Sequence, residues 1–234
     1  MYTKYLMILG VFDSGIGGKA VAESLSVAYP EATIQLVNDR KNVPYGSKTD
    51  EEIITLTDAA IQPLLQNACD CIILACNTAS AAAIEILRAR YPDQKFIGLE
   101  PMIKPAAALT KTGVIAVFAT TATLASQRYL RLVDTYAKDI RIIEPDCSQW
   151  AYMIEHSQIN RSSIEAIVRN CCQEGADVIV LACTHYHWIK DLITEIAAGR
   201  AVILEPSEAI ARRVRAVLDQ TDFSETPLRS FNTL

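Results

Sequence analysis

The sequence predicts an α/β fold with two similar domains, each built on a mainly parallel sheet flanked by helices. Two observations predict this fold. Short apolar, β-branched runs alternate with amphipathic stretches along the chain, and similar segments recur at a nearly constant spacing. The first observation concerns the layers of each domain, and the second concerns the number of domains.

The apolar runs have the length and composition of β-strands. They are short, rich in Val and Ile, and almost wholly apolar, which favours strands buried on both faces, as in a parallel sheet. The predicted strands are Met7–Phe12, Thr33–Asn38, Cys71–Leu74, Phe96–Leu99, Val114–Phe118, Ile140–Ile143, Val178–Leu181 and Val202–Leu204.

Helical patterns occupy the stretches between these strands. A strict order of strand and helix indicates crossover connections and therefore parallel strands. The predicted helices are Lys19–Tyr29, Asp50–Asn67, Ala79–Arg90, Ala122–Tyr136, Ser162–Glu174, Trp188–Ala197 and Ser207–Leu218.

Two segment pairs indicate an internal repeat. Leu9-Gly-Val-Phe-Asp13 resembles Ile115-Ala-Val-Phe-Ala119, 106 residues later, and Asp70-Cys-Ile-Ile-Leu-Ala-Cys76 resembles Asp177-Val-Ile-Val-Leu-Ala-Cys183, 107 residues later. Strand cores resemble one another easily, so the evidence lies in the agreement of the two spacings. We expect a first domain of residues 1–98 plus 205–234 and a second of residues 99–204.

Cys76 and Cys183 each follow a predicted strand, at equivalent places in the two halves. Ligands of α/β sheets bind beyond the carboxyl ends of the strands, so two halves that meet across a cleft would bring these thiols face to face. Inversion of a stereocentre by proton transfer needs a base on one face of the carbon and an acid on the other. A thiolate and a thiol could share this task.

Such thiols need activation, because the pKa of a free cysteine is about 8.5. Asn77 and Thr78 follow the first thiol and can donate hydrogen bonds or cap a helix. Thr184 and His185 follow the second, so that a titratable imidazole lies two residues from the sulfur. The turn Asp13-Ser-Gly-Ile-Gly-Gly18 suits an anion held on backbone N–H groups, but it does not match the G-x-G-x-x-G dinucleotide pattern.

Each of these residues also has a structural interpretation. His185 alone would be a buried structural histidine, and Asp13 with Ser14 an ordinary turn and cap. The group Cys183, His185 and His187 matches no common zinc spacing. Four further cysteines are interpreted as small buried hydrophobic residues, namely Cys69, Cys71, Cys171 and Cys172.

Composition excludes several classes of protein. Half of the 234 residues are hydrophobic, 21% are charged and the net charge is −5, so neither nucleic acid nor an anionic membrane is expected as a partner. The apolar run at the N-terminus is too short for a signal peptide, and no stretch has the length of a transmembrane helix. Seven cysteines, an odd number, favour free thiols in a reducing compartment, so a cytoplasmic location is expected.

Four motifs resemble those of glutamate racemases, in the same order and over residues 8 to 210. They are Asp13-Ser-Gly-Ile-Gly-Gly18, Val43-Pro-Tyr-Gly46, Ala75-Cys-Asn-Thr-Ala79 and Cys183-Thr-His-Tyr186. The resemblance implies two α/β domains related by a pseudo-twofold axis, with the active site at the domain interface. It also implies glutamate as substrate, D-glutamate supply for peptidoglycan, no pyridoxal phosphate, flavin or metal, and it is compatible with a homodimer.

The resemblance also implies roles for individual residues. Cys76 would act on D-glutamate with help from Asp13, and Cys183 on L-glutamate with help from His185. Substrate contacts would come from Ser14, Tyr45, Gly46, Asn77, Thr78, Thr121, Thr123 and Thr184, with Thr120 in the same threonine segment. Asp39 and Glu155 match acidic positions near the site.

The chain departs from the glutamate racemase pattern at several places. His187 stands where the family commonly has proline, and both Gly98–Pro105 and Glu205-Pro-Ser-Glu208 match only in part. Three alternatives remain open: a racemase for another acid such as aspartate, a catalytically silent ligand-binding homologue, and a cysteine hydrolase using Cys183 and His185.

Overall fold

In the computed structural model, which describes residues 7–219, eight strands form two four-stranded parallel sheets. The order is β2-β1-β3-β4 in the first sheet and β6-β5-β7-β8 in the second, so the two sheets have equivalent topologies. The strands are β1 Ile8–Asp13, β2 Thr33–Asn38, β3 Cys71–Leu74, β4 Phe96–Gly98, β5 Val114–Phe118, β6 Arg141–Ile143, β7 Val178–Leu181 and β8 Val202–Leu204. The predicted fold class is confirmed.

Helices cover both faces of each sheet. They are α1 Gly18–Ala28, α2 Asp50–Ala60, α3 Gln62–Gln66, α4 Asn77–Arg90, α5 Ile103–Leu109, α6 Thr121–Ala125, α7 Gln127–Tyr136, α8 Trp150–Glu155, α9 Arg161–Gln173, α10 Lys190–Ala197 and α11 Ser207–Leu218. Three 3₁₀ turns, Arg40–Asn42, Tyr45–Ser47 and Thr184–Ile189, lie in connections after β2 and β7. Among the described helices, none is both long and apolar enough to cross a membrane.

Alternation along the central strands divides each core into two layers. In the first sheet, Leu9 and Val11 pack toward α1 and α11, whereas Phe12 packs on the opposite face toward α2 and α4. In the second, Ile115 and Val117 pack toward α5 and α7, and Phe118 packs toward α8 and α9. These strands are buried on both faces because a helix layer lies on each side.

Burial on both faces does not hold for every strand. β2, β6 and β8 lie at sheet edges and carry exposed positions, so the prediction of uniformly buried strands was too broad. An edge strand has a neighbour on one side only, and its outer positions remain open to solvent.

Several predicted helices are divided in the structure. The stretch 50–67 breaks at Ile61, because Pro63 lacks the backbone N–H that a continuous helix needs and its ring collides with the preceding turn. The stretch 122–136 breaks at Ser126, whose side chain accepts a hydrogen bond from the Tyr129 N–H and caps α7. The helix predicted from Trp188 begins at Lys190, after the 3₁₀ turn.

Candidate active site

The carboxyl ends of the two sheets meet around one cavity of about 590 Å³. Both thiols line it: Cys76 lies two residues beyond β3, and Cys183 two residues beyond β7. The sulfurs are close enough that charge on Cys183 raises the pKa of Cys76. The strand ends that the repeat makes equivalent therefore open into a shared space.

Cys76 is 5% exposed and lies at the N-terminus of α4. Burial, together with the charge of Asp13, raises the pKa of its thiol to about 12. Hydrogen bonds with the Ser14 hydroxyl, at 3.4 Å, and from the Ala79 N–H, at 3.5 Å, act in the opposite direction. This environment favours the neutral thiol.

Asp13 is fully buried at the end of β1. Its carboxylate accepts hydrogen bonds from the Gly15 N–H, at 2.9 Å, and from the Thr184 hydroxyl of the other half, at 3.0 Å. Burial raises the pKa of Asp13, and the positive charge of His185 and these hydrogen bonds limit the rise. The residue is therefore placed to exchange a proton with groups near Cys76.

His185 connects Cys183 to Glu155. Its Nδ1 lies 3.9 Å from the Cys183 sulfur, and its Nε2 lies 2.9 Å from a Glu155 carboxylate oxygen. Burial lowers the pKa of His185, but hydrogen bonds to Cys183 and Glu155 and the charges of Cys183 and Asp13 outweigh it and raise the pKa to about 10. An imidazolium thus stands where it can stabilise a thiolate on Cys183.

Glu155 is 4% exposed on its side chain and bridges the two halves. It accepts hydrogen bonds from the Ile16 N–H, at 3.0 Å, and from Arg40 Nε, at 2.7 Å, besides its contact with His185. Burial raises its pKa, but these partners outweigh burial and lower the pKa to about 2. Because an ionised carboxylate only accepts hydrogen bonds, His185 Nε2 must carry the proton between them.

Two glycines of the turn after β1 allow the halves to approach this closely. A Cβ on Gly15 would lie 2.5 Å from His185 Nε2 and 2.7 Å from a Glu155 oxygen. A Cβ on Gly17 would lie 2.6 Å from Thr184 backbone and side-chain atoms. The absence of a side chain at both positions therefore permits close contact between the turn and the other half.

The Asn77 side chain is buried at the cavity wall without a hydrogen-bond partner. It is 4% exposed, and within the described residues neither its Nδ2 nor its Oδ1 has a partner. An unpartnered buried amide costs about 1–3 kcal/mol. A ligand with both a donor and an acceptor would satisfy it.

Threonine hydroxyls form another part of the wall. The Thr78 and Thr120 hydroxyls are 2.9 Å apart, as are those of Thr120 and Thr123, and Thr78 lies 3.4 Å from Thr123. Thr78, Thr120 and Thr121 line the cavity, and Thr123 lies behind them as a hydrogen-bond partner. Thr184 and Ser14 also line it.

Tyr45 and Gly46, in the 3₁₀ turn Tyr45–Ser47, also line the cavity. The Tyr45 hydroxyl donates to Asp39 at 2.7 Å, and Asp39 also accepts from the Asn42 amide. Asp39 therefore orients Tyr45 and is not itself among the residues that line the cavity. A Cβ on Gly46 would lie 2.9 Å from Thr120, so glycine permits this wall to close.

Sequence reasoning missed several residues at this site. Arg40 holds Glu155, Lys48 lines the cavity, and Gln149 and Tyr152 stand on its second-half side. Lys48 follows the Val43–Gly46 motif by two residues, and this closeness could have indicated that it lines the cavity. Across residues 7–219, no group of three or more His, Cys, Asp or Glu side chains is arranged to hold a metal ion.

The sequence and the fold of this chain are similar to those of known amino-acid racemases. Residues 19–214 match the family model described as Asp/Glu/Hydantoin racemase. The glutamate racemase of Herpetosiphon aurantiacus is 37% identical over 92% of this chain and 85% of its own length. The Escherichia coli glutamate racemase in complex with L-glutamate and the activator UDP-MurNAc-Ala superposes with a TM-score of 0.84, at 26% identity over 92% of this chain and 83% of that one.

A second solved structure has the same fold. Glutamate racemase from Francisella tularensis in complex with D-glutamate has a TM-score of 0.75, at 25% identity, over 92% of this chain and 81% of that one. Sequence and fold thus agree in pointing to one family.

Proposed function

The chain belongs to the Asp/Glu/hydantoin racemase family, and we propose that it interconverts L- and D-glutamate by proton transfer between Cys76 and Cys183. The observation that carries the proposal is that both thiols line one cavity, each beside its own titratable partner. Curated relatives that are 36–37% identical are named glutamate racemases, and two of the solved relatives hold L- or D-glutamate.

With L-glutamate, the Cys183 thiolate removes the α-proton and the Cys76 thiol donates a proton to the opposite face. The C–H bond on the side of Cys183 breaks as a new C–H bond forms on the side of Cys76, and the roles are exchanged for D-glutamate. Protonated His185 stabilises the thiolate of Cys183, and Asp13 exchanges the proton that Cys76 gains or loses. General acid–base steps of this kind contribute about 10²- to 10⁴-fold each to the rate.

The remaining polar wall fits the substrate. Glutamate brings two carboxylates and an ammonium, which need several donors and at least one acceptor. The Asn77 amide supplies both and has no protein partner in the described part of the chain. Ser14, Thr78, Thr121 and Thr184, with the Tyr45–Gly46 turn, supply further donors. Preorganised donors also stabilise the negative charge that develops at the α-carbon.

The domain boundaries belong to the same proposal. Strand β8 completes the second sheet, and the helix that follows it, α11, packs against α1 and the first sheet. This packing supports a return of the chain to the first domain near residue 205. We propose residues 1–98 with 205–234 as one domain and 99–204 as the other. Residues 1–6 and 220–234 lie outside those that the structure describes.

The cellular role follows from the reaction. D-Glutamate is a component of bacterial peptidoglycan, so the proposed enzyme supplies this precursor in the cytoplasm. A homodimer is part of the proposal and is tested by the mass of the protein in solution, measured by light scattering.

Deuterium incorporation tests the reaction. Incubation with L-glutamate in D2O, without added cofactor, should give D-glutamate that carries deuterium at Cα. Cys76→Ala and Cys183→Ala should each abolish racemisation, whereas Cys172→Ala, remote from the cavity, should retain it. Racemisation that survives either of the first two changes would contradict the two-base mechanism.

The same assays separate the alternatives. The ratio of kcat/KM for glutamate to that for aspartate decides between two acidic substrates. Saturable glutamate binding without Cα exchange would indicate a silent binding protein. A covalent acyl intermediate on Cys183 would indicate a hydrolase.

A further inference from the structure

Lys48 is the one lysine or arginine among the described residues that line the cavity. It follows the Tyr45–Ser47 turn directly and is partly buried. The Lys48 N–H donates to the Tyr45 carbonyl at 3.1 Å, and Tyr45 is itself held by Asp39. The backbone of Lys48 is therefore fixed beside the wall that Tyr45 and Gly46 form.

The ammonium of Lys48 has no ion-pair partner within residues 7–219. Of the three acidic residues in the first turn of α2, Glu52 is occupied in accepting the Thr49 N–H, at 2.8 Å, in the helix cap. The charge of Lys48 lowers the pKa of Glu52 only as the last of several causes. Arg40, by contrast, is paired with Glu155 at 2.7 Å.

The rest of the cavity is poor in positive charge. The negative charge in this part of the site comes from Asp13, Glu155 and whichever of the two cysteines is ionised. His185 is already paired with Glu155 and Cys183. An amino acid with a carboxylate side chain would bring a further negative charge into this space. A cation among the lining residues would offset that charge, and a neutral substrate side chain would not need it.

We propose that Lys48 binds the side-chain carboxylate of the substrate and thereby selects acidic amino acids over their neutral amides. This inference rests on the proposed racemisation, and it adds the residue that discriminates glutamate from glutamine. A charge-assisted hydrogen bond of this kind contributes roughly 10- to 100-fold to affinity.

The test compares Lys48→Gln with Lys41→Gln, which removes the same charge from an exposed lysine that does not line the cavity. Cα exchange in D2O is measured for L-glutamate and L-glutamine in each variant. Lys48→Gln should raise the KM for glutamate roughly 10- to 100-fold, with kcat within about threefold, and should lower the glutamate-to-glutamine ratio of kcat/KM. Lys48→Arg should restore most of the ratio, and high salt should reduce the difference from wild type.

The ratio of two substrates does not depend on how much of a variant is folded, so it separates specificity from stability. Equal ratios for the Lys48 and Lys41 variants, or a fall in kcat with unchanged KM, would overturn the inference. If the wild-type protein shows no exchange, the proposed racemisation fails. The role of Lys48 is then decided by calorimetric affinity for L-glutamate, which Lys48→Gln must weaken and Lys41→Gln must not.

Discussion

Replacing Gly15 with alanine should disable the site while leaving the fold intact. The backbone of Gly15 is outside the left-handed region, so alanine introduces no dihedral strain there, and its effect is steric. The new Cβ would lie 2.5 Å from His185 Nε2 and 2.7 Å from the Glu155 oxygen that contacts it. The turn and these two side chains cannot keep their present positions together.

The size of the effect follows from these distances. Ordinary contacts of such atoms are about 3.5 Å, so the imidazole or the turn must move by about 1 Å. A displacement of that size in a catalytic group costs about 100-fold in rate. Overpacking costs about 1–3 kcal/mol of unfolding free energy, which lowers the Tm of a chain of this length by about 2–4 °C per kcal/mol.

The assay is kcat/KM for Cα exchange of L-glutamate, measured together with the thermal unfolding midpoint. Gly113→Ala is the matched control, because Gly113 has a φ of +73° and a Cβ added there would meet nothing within 4 Å. That variant should lose about 1–2 kcal/mol of stability through backbone strain and keep its kcat. Activity of Gly15→Ala within threefold of wild type would refute the steric argument.

Other variants test the charges and hydrogen bonds around this turn. Glu155→Gln should shift the alkaline limb of the kcat/KM profile to lower pH by about 1–3 units, because the pKa of His185, now about 10, loses an anionic partner; an unshifted limb would count against the pair. The pKa of Glu155 is lowered from 4.5 to about 2, so its stabilising contribution is present above pH 4.5 and is lost as the pH falls through about 2. The difference in unfolding free energy between wild type and Glu155→Gln, measured by urea titration, should therefore shrink over that pH range. Thr184→Val removes the hydroxyl that donates to buried Asp13 and should cost about 1–3 kcal/mol in urea unfolding, together with a fall in exchange rate; no loss of stability would show that the bond is dispensable. Asn160→Ala removes the cap of α9 and should cost about 1 kcal/mol with kcat unchanged, so a fall in kcat would contradict a purely local role.

Hydrophobic pattern predicted most of the sheet because strand signals are local. Thr33–Asn38, Cys71–Leu74, Val114–Phe118, Val178–Leu181 and Val202–Leu204 have the predicted bounds. All except Thr33–Asn38, which contains Gln35, are apolar runs rich in Val, Ile and Leu. The agreement of the two repeat spacings carried the step from strands to two sheets of equivalent order.

Two short helices were not predicted, because prediction from local pattern needs a segment long enough to show the pattern. Ile103–Leu109 and Trp150–Glu155 are too short to complete a clear 3.6-residue pattern, and the first contains Pro105. The helix Trp150–Glu155 matters to the site because it ends on the carboxylate beside His185. Its position follows from tertiary packing of Trp150 against Phe118 and Tyr186, which no local signal encodes.

The candidate site, like the fold, could be predicted from the sequence only in part. Placement of both thiols on one cavity could be expected, because equivalent residues after parallel strands lie at equivalent sheet edges. The contacts of Glu155 with Ile16 and Arg40 could not, since they join residues 139 and 115 positions apart. The sequence indicated an acidic residue at 155 only through the family resemblance and left its partners unnamed.

Those long-range contacts link the charged groups beside the thiols to contact between the two halves. Asp13 belongs to the first half and accepts its hydrogen bond from Thr184 of the second, whereas Glu155 belongs to the second and accepts from Ile16 and Arg40 of the first. If the halves separated, both carboxylates would lose partners, the pKa of Glu155 would rise, and His185 would lose the nearby charge of Asp13, which belongs to the first half. The proton affinities of the groups beside the thiols therefore depend on residues from both halves, which the contact between the halves brings together.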